Sequence, residues 1–104
     1  MAQIKKVFIS QPMADKTNEQ IMGERTAALA DIVVRTNFAV DEIQSFFKDA
    51  PHDAKPLWFL GESIKMMAEA DIVYFCKGWQ NQRGCMIEHE CATRYGKTCM
   101  YAKP

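Results

Sequence analysis

The segment that most constrains this chain is Ile72-Val73-Tyr74-Phe75-Cys76, an unbroken apolar run led by Asp71 and followed by Lys77-Gly78. A half-exposed strand would alternate apolar with polar residues, and a surface helix would show a polar face every three or four positions. A run with neither fits a strand buried on both sides. That is the condition of a central strand in a parallel sheet, which needs helices over its faces.

The rest of the sequence supplies those helices and further strands. Lys5 to Ser10 (KKVFIS) is β-rich and ends at Gln11-Pro12, so it reads as a first strand. Thr17-x-x-Gln20 matches a capping box, in which side chains satisfy the free backbone groups of a helix start. Ile21, Ala28, Leu29, Ile32 and Val33 then recur at helical spacing to about Arg35, Asn37 closes the helix, and Phe38 to Val40 form a short second strand. Asp41 to Lys55 reads as a loop with one helical turn, carrying Phe46 and Phe47. Pro56 suits the first turn of a second helix, with Leu57, Leu60, Ile64, Met67 and Ala68 as its inward stripe. Trp58, Phe59 and Met66 lie off that stripe, so this helix predicts either a subunit interface or packing against the long loop. After the apolar strand, Gly78 to Arg83 form a polar turn, Gly84 to Tyr95 a third helix capped by Gly96, and Thr98 to Tyr101 a last strand. Alternation of this kind predicts one α/β domain spanning residues 1–104, a small doubly wound parallel sheet of the flavodoxin-like kind in the order 2-1-3-4.

Composition narrows the partners. Thirteen basic residues balance thirteen acidic ones, so neither a nucleic-acid backbone nor an anionic membrane surface is an expected partner. The apolar runs are too short to span a bilayer, and the N-terminus lacks the pattern of a signal peptide, which predicts a cytoplasmic protein. The four cysteines, at 76, 85, 91 and 99, form no C-x-x-C pair and read as free thiols. His89 sits between Glu88 and Glu90, but adjacent helical residues point to different faces, so no metal site is expected there.

In an open α/β sheet, ligands bind beyond the carboxyl ends of the strands where the strand order reverses. The expected order puts that crevice between strands one and three. It brings together Ser10, Gln11 and Met13 with Gly78, Trp79 and Asn81, and with the helix that carries Glu88. Asp71 starts its strand, which places it at the opposite edge as a cap or turn residue. Gly84 and Ala92 flank Glu88 one helical turn away on either side, leaving room beside its carboxylate, and the helix macrodipole favours the ionised form. An ionised, open carboxylate at a switch point can act as a nucleophile. The competing reading is a glutamate on a solvated helix face.

The run GWQNQRGCMIEHECATRYGK resembles the nucleoside 2-deoxyribosyltransferase-like family, in particular its short bacterial and phage members. The resemblance is carried by Asp71, Gly78, Trp79, Gly84, Glu88, Ala92, Gly96 and Lys97 in order, and by the N-terminal KVFISQPM. It implies a retaining reaction at C1′ of a 2′-deoxynucleoside or its 5′-monophosphate, with Glu88 as nucleophile and a covalent glycosyl-enzyme intermediate. Ser10, Gln11 and Met13 would lie along the substrate and Trp79 would form an aromatic wall. The amides of Gly84 and Cys85 would hold the 5′ end. Gln82 stands where the family carries Ser or Asp, with Arg83 beside it as a partner for a phosphate. Glu62 and Asp41 are the nearest candidates for the acid that protonates the leaving base. The chemistry calls for no cofactor or metal, and the family tendency is a homo-oligomer, a dimer or higher. Hydrolysis and transfer both stay open. So do a non-catalytic nucleotide-binding or interaction module on the same fold and cleavage of a dinucleotide such as NAD.

Overall fold

A computed structural model of the protein describes residues 3–45 and 50–103. The chain runs β1 (Ile4–Ser10), α1 (Asn18–Thr36), β2 (Ala39–Glu42), α2 (Pro56–Met67), β3 (Ile72–Phe75), a 3₁₀ turn at Trp79–Asn81, α3 (Arg83–Arg94) and β4 (Thr98–Tyr101). The strands form one sheet ordered β2-β1-β3-β4, and every neighbouring pair is parallel. This is the α/β architecture that the strand pattern predicts. No helix among the described residues is long and apolar enough to cross a membrane.

The two sides of the sheet follow from side-chain alternation along a strand. Val7, Ile9, Ile72, Tyr74 and Cys76 point to one face and are covered by Ala28 and Ile32 of α1. Phe8, Val73 and Phe75 point to the other and meet Met67, at the end of α2, and Ala92 of α3. Both central strands are therefore buried on both sides, as the apolar run requires. The capping box at Thr17 and Gln20 is formed, and Asn37 closes α1 in the left-handed conformation. Gly96, at φ 73°, turns the chain from α3 into β4.

At the amino edge of the sheet the Lys6 amide donates to the Asp71 carboxylate at 2.8 Å, and the Asp71 amide donates back to the Lys6 carbonyl at 2.8 Å. Asp71 thus stays at the edge away from the crevice. Its side chain clasps β1 to β3 and does not cap a helix.

Several local expectations are corrected. The second strand is Ala39–Glu42, later than Phe38 to Val40, because its ladder to β1 extends to Glu42. The third helix starts at Arg83, and the preceding turn contains a short 3₁₀ segment. Leu57 and Val33, placed on inward stripes, are 78% and 41% exposed. Leu57 overhangs the crevice described below, and Val33 is displaced because Ile32 occupies the sheet-facing position. Ala68 caps α2 and is exposed. In the loop before α2, Pro51 to Ala54 close a turn with a 3.0 Å hydrogen bond. Phe46 and Phe47 lie outside the described residues.

Ile32 has no exposed surface, whereas Val34, two residues on, is 83% exposed. Ile32→Ala is expected to lower the urea-unfolding free energy by about 2–5 kcal/mol. Val34→Ala should change it by no more than about 0.5 kcal/mol. Equal effects of the two would contradict the assignment of α1's buried face.

Candidate functional site

β1 and β3 end side by side, with Ser10 opposite Phe75, so the chain leaves both strands at the carboxyl edge of the sheet. After β3 it turns through Gly78, whose φ of 89° is a conformation that side-chain-bearing residues rarely adopt. It then passes through the 3₁₀ turn and enters α3. Glu88, on the inward face of α3, reaches back across the sheet end. The Ser10 hydroxyl donates to its Oε1 at 2.6 Å, and the Ser63 hydroxyl of α2 lies near enough to favour its anion. Three separate elements therefore converge on a single carboxylate.

Glu88 is 8% exposed. The ion pairs among the described residues involve Glu24, Glu42, Asp31, Glu62 and Glu90, and none of them includes Glu88. Burial without a counter-charge pushes its pKa up, and the Ser10 and Ser63 hydroxyls pull it partly back. The macrodipole expectation fails for a geometric reason. Arg83 opens the helix and Glu88 lies beyond its first turn, which holds no acidic residue, and the dipole's influence fades within that turn. Ala92 is likewise no open neighbour, being fully buried in the core. Gly84 does leave space, since a Cβ there would meet nothing within 4 Å.

Glu88 forms part of the wall of an open cleft of about 1170 Å³. The volume is ample for a nucleotide-sized ligand, as small-molecule sites run to roughly 300–1,000 Å³. Gln11 and Met13 flank it from the exit of β1, and Ser45 from the segment after β2. Leu57, Phe59, Leu60 and Ser63 come from α2, and Gln82, Arg83, Gly84, Cys85 and Ile87 from the start of α3. Most of the wall is apolar. Lys55 and Arg83 are its cationic members.

Of the residues expected at the site, Glu88, Gln11, Met13, Gln82 and Gly84 line the cleft, and Ser10 stands behind Glu88 as its donor. Gln11 contributes surface but no free amide. Its Nε2 donates to the Ile21 carbonyl and to Glu24, and its Oε1 accepts from Arg25. Gly78, Trp79 and Asn81 are not among the lining residues. Trp79 packs against His89 at 4.2 Å, Phe75 at 5.3 Å and Tyr101 at 5.8 Å, over the β3–β4 end of the sheet. The 3₁₀ turn that carries Trp79 and Asn81 runs on the β4 side. Gly78 packs against Pro12, where an added Cβ would stand 3.8 Å from its Cγ. Glu62 pairs with Lys65 and Asp41 is exposed on β2, so neither borders the cleft.

Two residues of this region escaped the sequence reading, Ser63 and Arg25. Each is a polar residue at helical spacing within an apolar stripe: Leu60-Ser63-Met67 on α2 and Ile21-Arg25-Ala28-Ile32 on α1. That break in the stripe is the available signal. Cys85 is also buried here, and burial raises its thiol to about 11, so it stays protonated and is no nucleophile. His89 bonds the Tyr101 hydroxyl at 2.8 Å. Among the described residues no group of three His, Cys, Asp or Glu side chains is placed to hold a metal ion.

Comparison of the chain with protein-family models, with curated proteins and with solved structures finds no match.

The raised pKa of Glu88 has a consequence for stability with a definite sign. The folded state keeps the proton above the ordinary value of 4.5, where the unfolded chain has lost it. Stability contributed by Glu88 is therefore present at acid pH and is lost as pH rises through the folded pKa. Glu88→Gln, which cannot ionise, is expected to melt higher than the native protein at about pH 7. The gap should close as pH falls toward 4.5. A melting-temperature difference that stays constant with pH would refute this account of the carboxyl.

Proposed function

We propose that this protein breaks or transfers the N-glycosidic bond of a 2′-deoxynucleoside or its 5′-monophosphate, with Glu88 as the nucleophile. The observation that carries the proposal is a buried, hydroxyl-held carboxylate without a counter-ion, in the wall of a nucleotide-sized cleft at the strand-order reversal. A carboxylate serving only stability would gain from an ion pair or from solvent, and this one has neither. A cationic transition state provides what the resting site lacks. As C1′ takes on oxocarbenium character, it brings a positive charge to the buried Glu88 anion, whose burial strengthens the attraction. The role proposed for Glu88 is that of the nucleophile in a retaining glycosidase.

The step balances as follows. The C1′–N bond breaks and its electron pair leaves with the base. A Glu88 oxygen forms a bond to C1′, giving a glycosyl ester. Water or a second base then attacks C1′ from the opposite face, and the carboxylate is regenerated. Ser10 and Ser63 fix the carboxylate's orientation. Glu88 is the sole carboxylate lining the cleft among the described residues, so solvent supplies the proton for the departing base. An open cleft admits that water, which favours hydrolysis.

The substrate's ends follow from the chemistry of the walls. Met13, Leu57 and Ile87 offer apolar surface to a base. Arg83 stands with the first amides of α3, which lack acceptors within the helix and favour an anion. A 5′-phosphate fits there. We place this activity in the cytoplasm, in keeping with four free thiols. We further propose a dimer or higher oligomer that uses the apolar residues α2 carries off its sheet-facing stripe, such as Trp58 and Phe59.

Purified protein incubated with each deoxynucleoside and each monophosphate, with and without a second free base, is expected to release or exchange base, followed by chromatography. Glu88→Ala should lower that rate by roughly a thousandfold or more. Arg83→Ala should raise KM for monophosphates by about tenfold, the loss of one charge-assisted contact, and leave nucleosides unaffected. No turnover of any substrate, with melting temperature still raised by nucleotide, would replace the enzyme with a binding module. On a sizing column the protein is expected to elute above its chain mass of 11.9 kDa. A sharp monomer peak would overturn the oligomer.

A further inference from the structure

Arg25 projects from α1 into the interior and is 2% exposed, the largest of the fully buried side chains. It does not line the cleft. Its Nε donates to Glu42 at 2.5 Å, and one terminal nitrogen donates to the Gln11 Oε1 at 3.3 Å. The other donates to the Ile43 carbonyl at 3.3 Å and to the Ser45 hydroxyl at 2.9 Å. A single planar group thereby joins three places: the residue leaving β1, the last residue of β2 and the segment that follows it. Two of its partners, Gln11 and Ser45, are cleft walls.

An apolar side chain would fill this slot in the α1 stripe without the desolvation cost of a guanidinium. What the guanidinium adds is geometry, because its donors lie in a rigid fork and hold their acceptors at fixed mutual positions. The alternative anchors are few. Gln11 is otherwise tied to α1 through Ile21 and Glu24. Beyond the β2 ladder, the Ile43 amide is bonded to the Val7 carbonyl, and the Ser45 hydroxyl has Arg25 as its donor.

We infer that Arg25 is a positioning residue, which sets the cleft wall by locking the exits of β1 and β2 to one another from behind. The effect on substrate rests on the reading of the cleft as a nucleoside site; the effect on the wall does not. Glu88 and Ser10 sit on α3 and on the β1 ladder, which Arg25 does not hold, so the carboxylate keeps its place when the fork is lost. Arg25 therefore governs substrate binding more than the chemical step.

The test is Arg25→Lys, which keeps a charge near Glu42 and loses the fork. Two measurements are made on the intact protein: kinetics with the four deoxynucleoside 5′-monophosphates, and amide hydrogen exchange by NMR. KM is expected to rise about tenfold with kcat within about threefold of the native value, the loss of roughly one hydrogen-bonded anchor. The amides of Gln11, Ile43 and Ser45 should exchange faster, while those of β3 and α3 keep their protection relative to global stability. Uniform acceleration across all elements, or a fallen melting temperature with KM unchanged, would reduce Arg25 to a structural residue and overturn the inference. If Arg25→Lys does not fold, Ser45→Ala, which removes one acceptor of the fork, takes its place: faster exchange confined to Ile43 and Ser45 supports the inference, and uniform acceleration overturns it. A native protein without turnover would sink the glycosidic reading alone, and the exchange data would still decide on Arg25.

Discussion

The pairing of β1 with β3 is the constraint from which the rest of the molecule follows. Val7 to Ser10 lie beside Ile72 to Phe75 in parallel register, and both strands are buried on both sides. Parallel neighbours cannot be joined by a tight turn, so each connection must cross a face of the sheet. Those crossings are α1 on one side and α2 and α3 on the other. The pairing also decides where chemistry can occur. It ends with Ser10 against Phe75, and past that point the two chains diverge and leave a crevice. At the other end the Lys6–Asp71 clasp holds the register from the edge opposite that crevice.

The polar groups at the crevice show two different ways of burying charge. Arg25 is enclosed with an anion and a set of acceptors, so its cost is offset within the fold. Glu88 is enclosed with hydroxyls only, which steady the anion but carry no opposite charge. The first arrangement is closed, and the second leaves an electrostatic demand unmet. A ligand that develops positive charge beside Glu88 meets that demand, which is why the two residues receive such different readings despite similar burial.

The architecture was legible in the sequence because it is written in features that survive without tertiary context. The apolar run at 72–76, the Thr17–Gln20 capping box and the glycine at 96 act through local burial pattern or backbone conformation. The position of Glu88 followed from topology once the strand order was set. Legibility stopped where direction around a helix or turn mattered. Trp79 leaves β3 at the right end but packs against Tyr101 of β4, and neither it nor Asn81 lines the cleft. Leu57 satisfies the helical period, yet it lies in the first turn of α2, over the cleft and clear of the sheet. Ser63 and Arg25 are residue types that usually face water, and their inward placement depends on partners distant in sequence. Glu88's protonation behaviour was misjudged because burial, invisible in the sequence, outweighs a helix dipole that acts within one turn.

The hydroxyl that holds Glu88 comes from a residue 78 positions earlier in the chain. Between the two lie α1, β2, α2 and β3, so the pair joins the first strand to the last helix. Closing so long a stretch of chain carries an entropic cost that only the completed sheet repays. During synthesis β1 emerges first and has no β3 to pair with until most of the chain exists. A nascent or truncated chain can therefore hold helices and part of the sheet and still lack the Ser10–Glu88 pair. The site is a property of the finished molecule, and a partly made copy does not contain it.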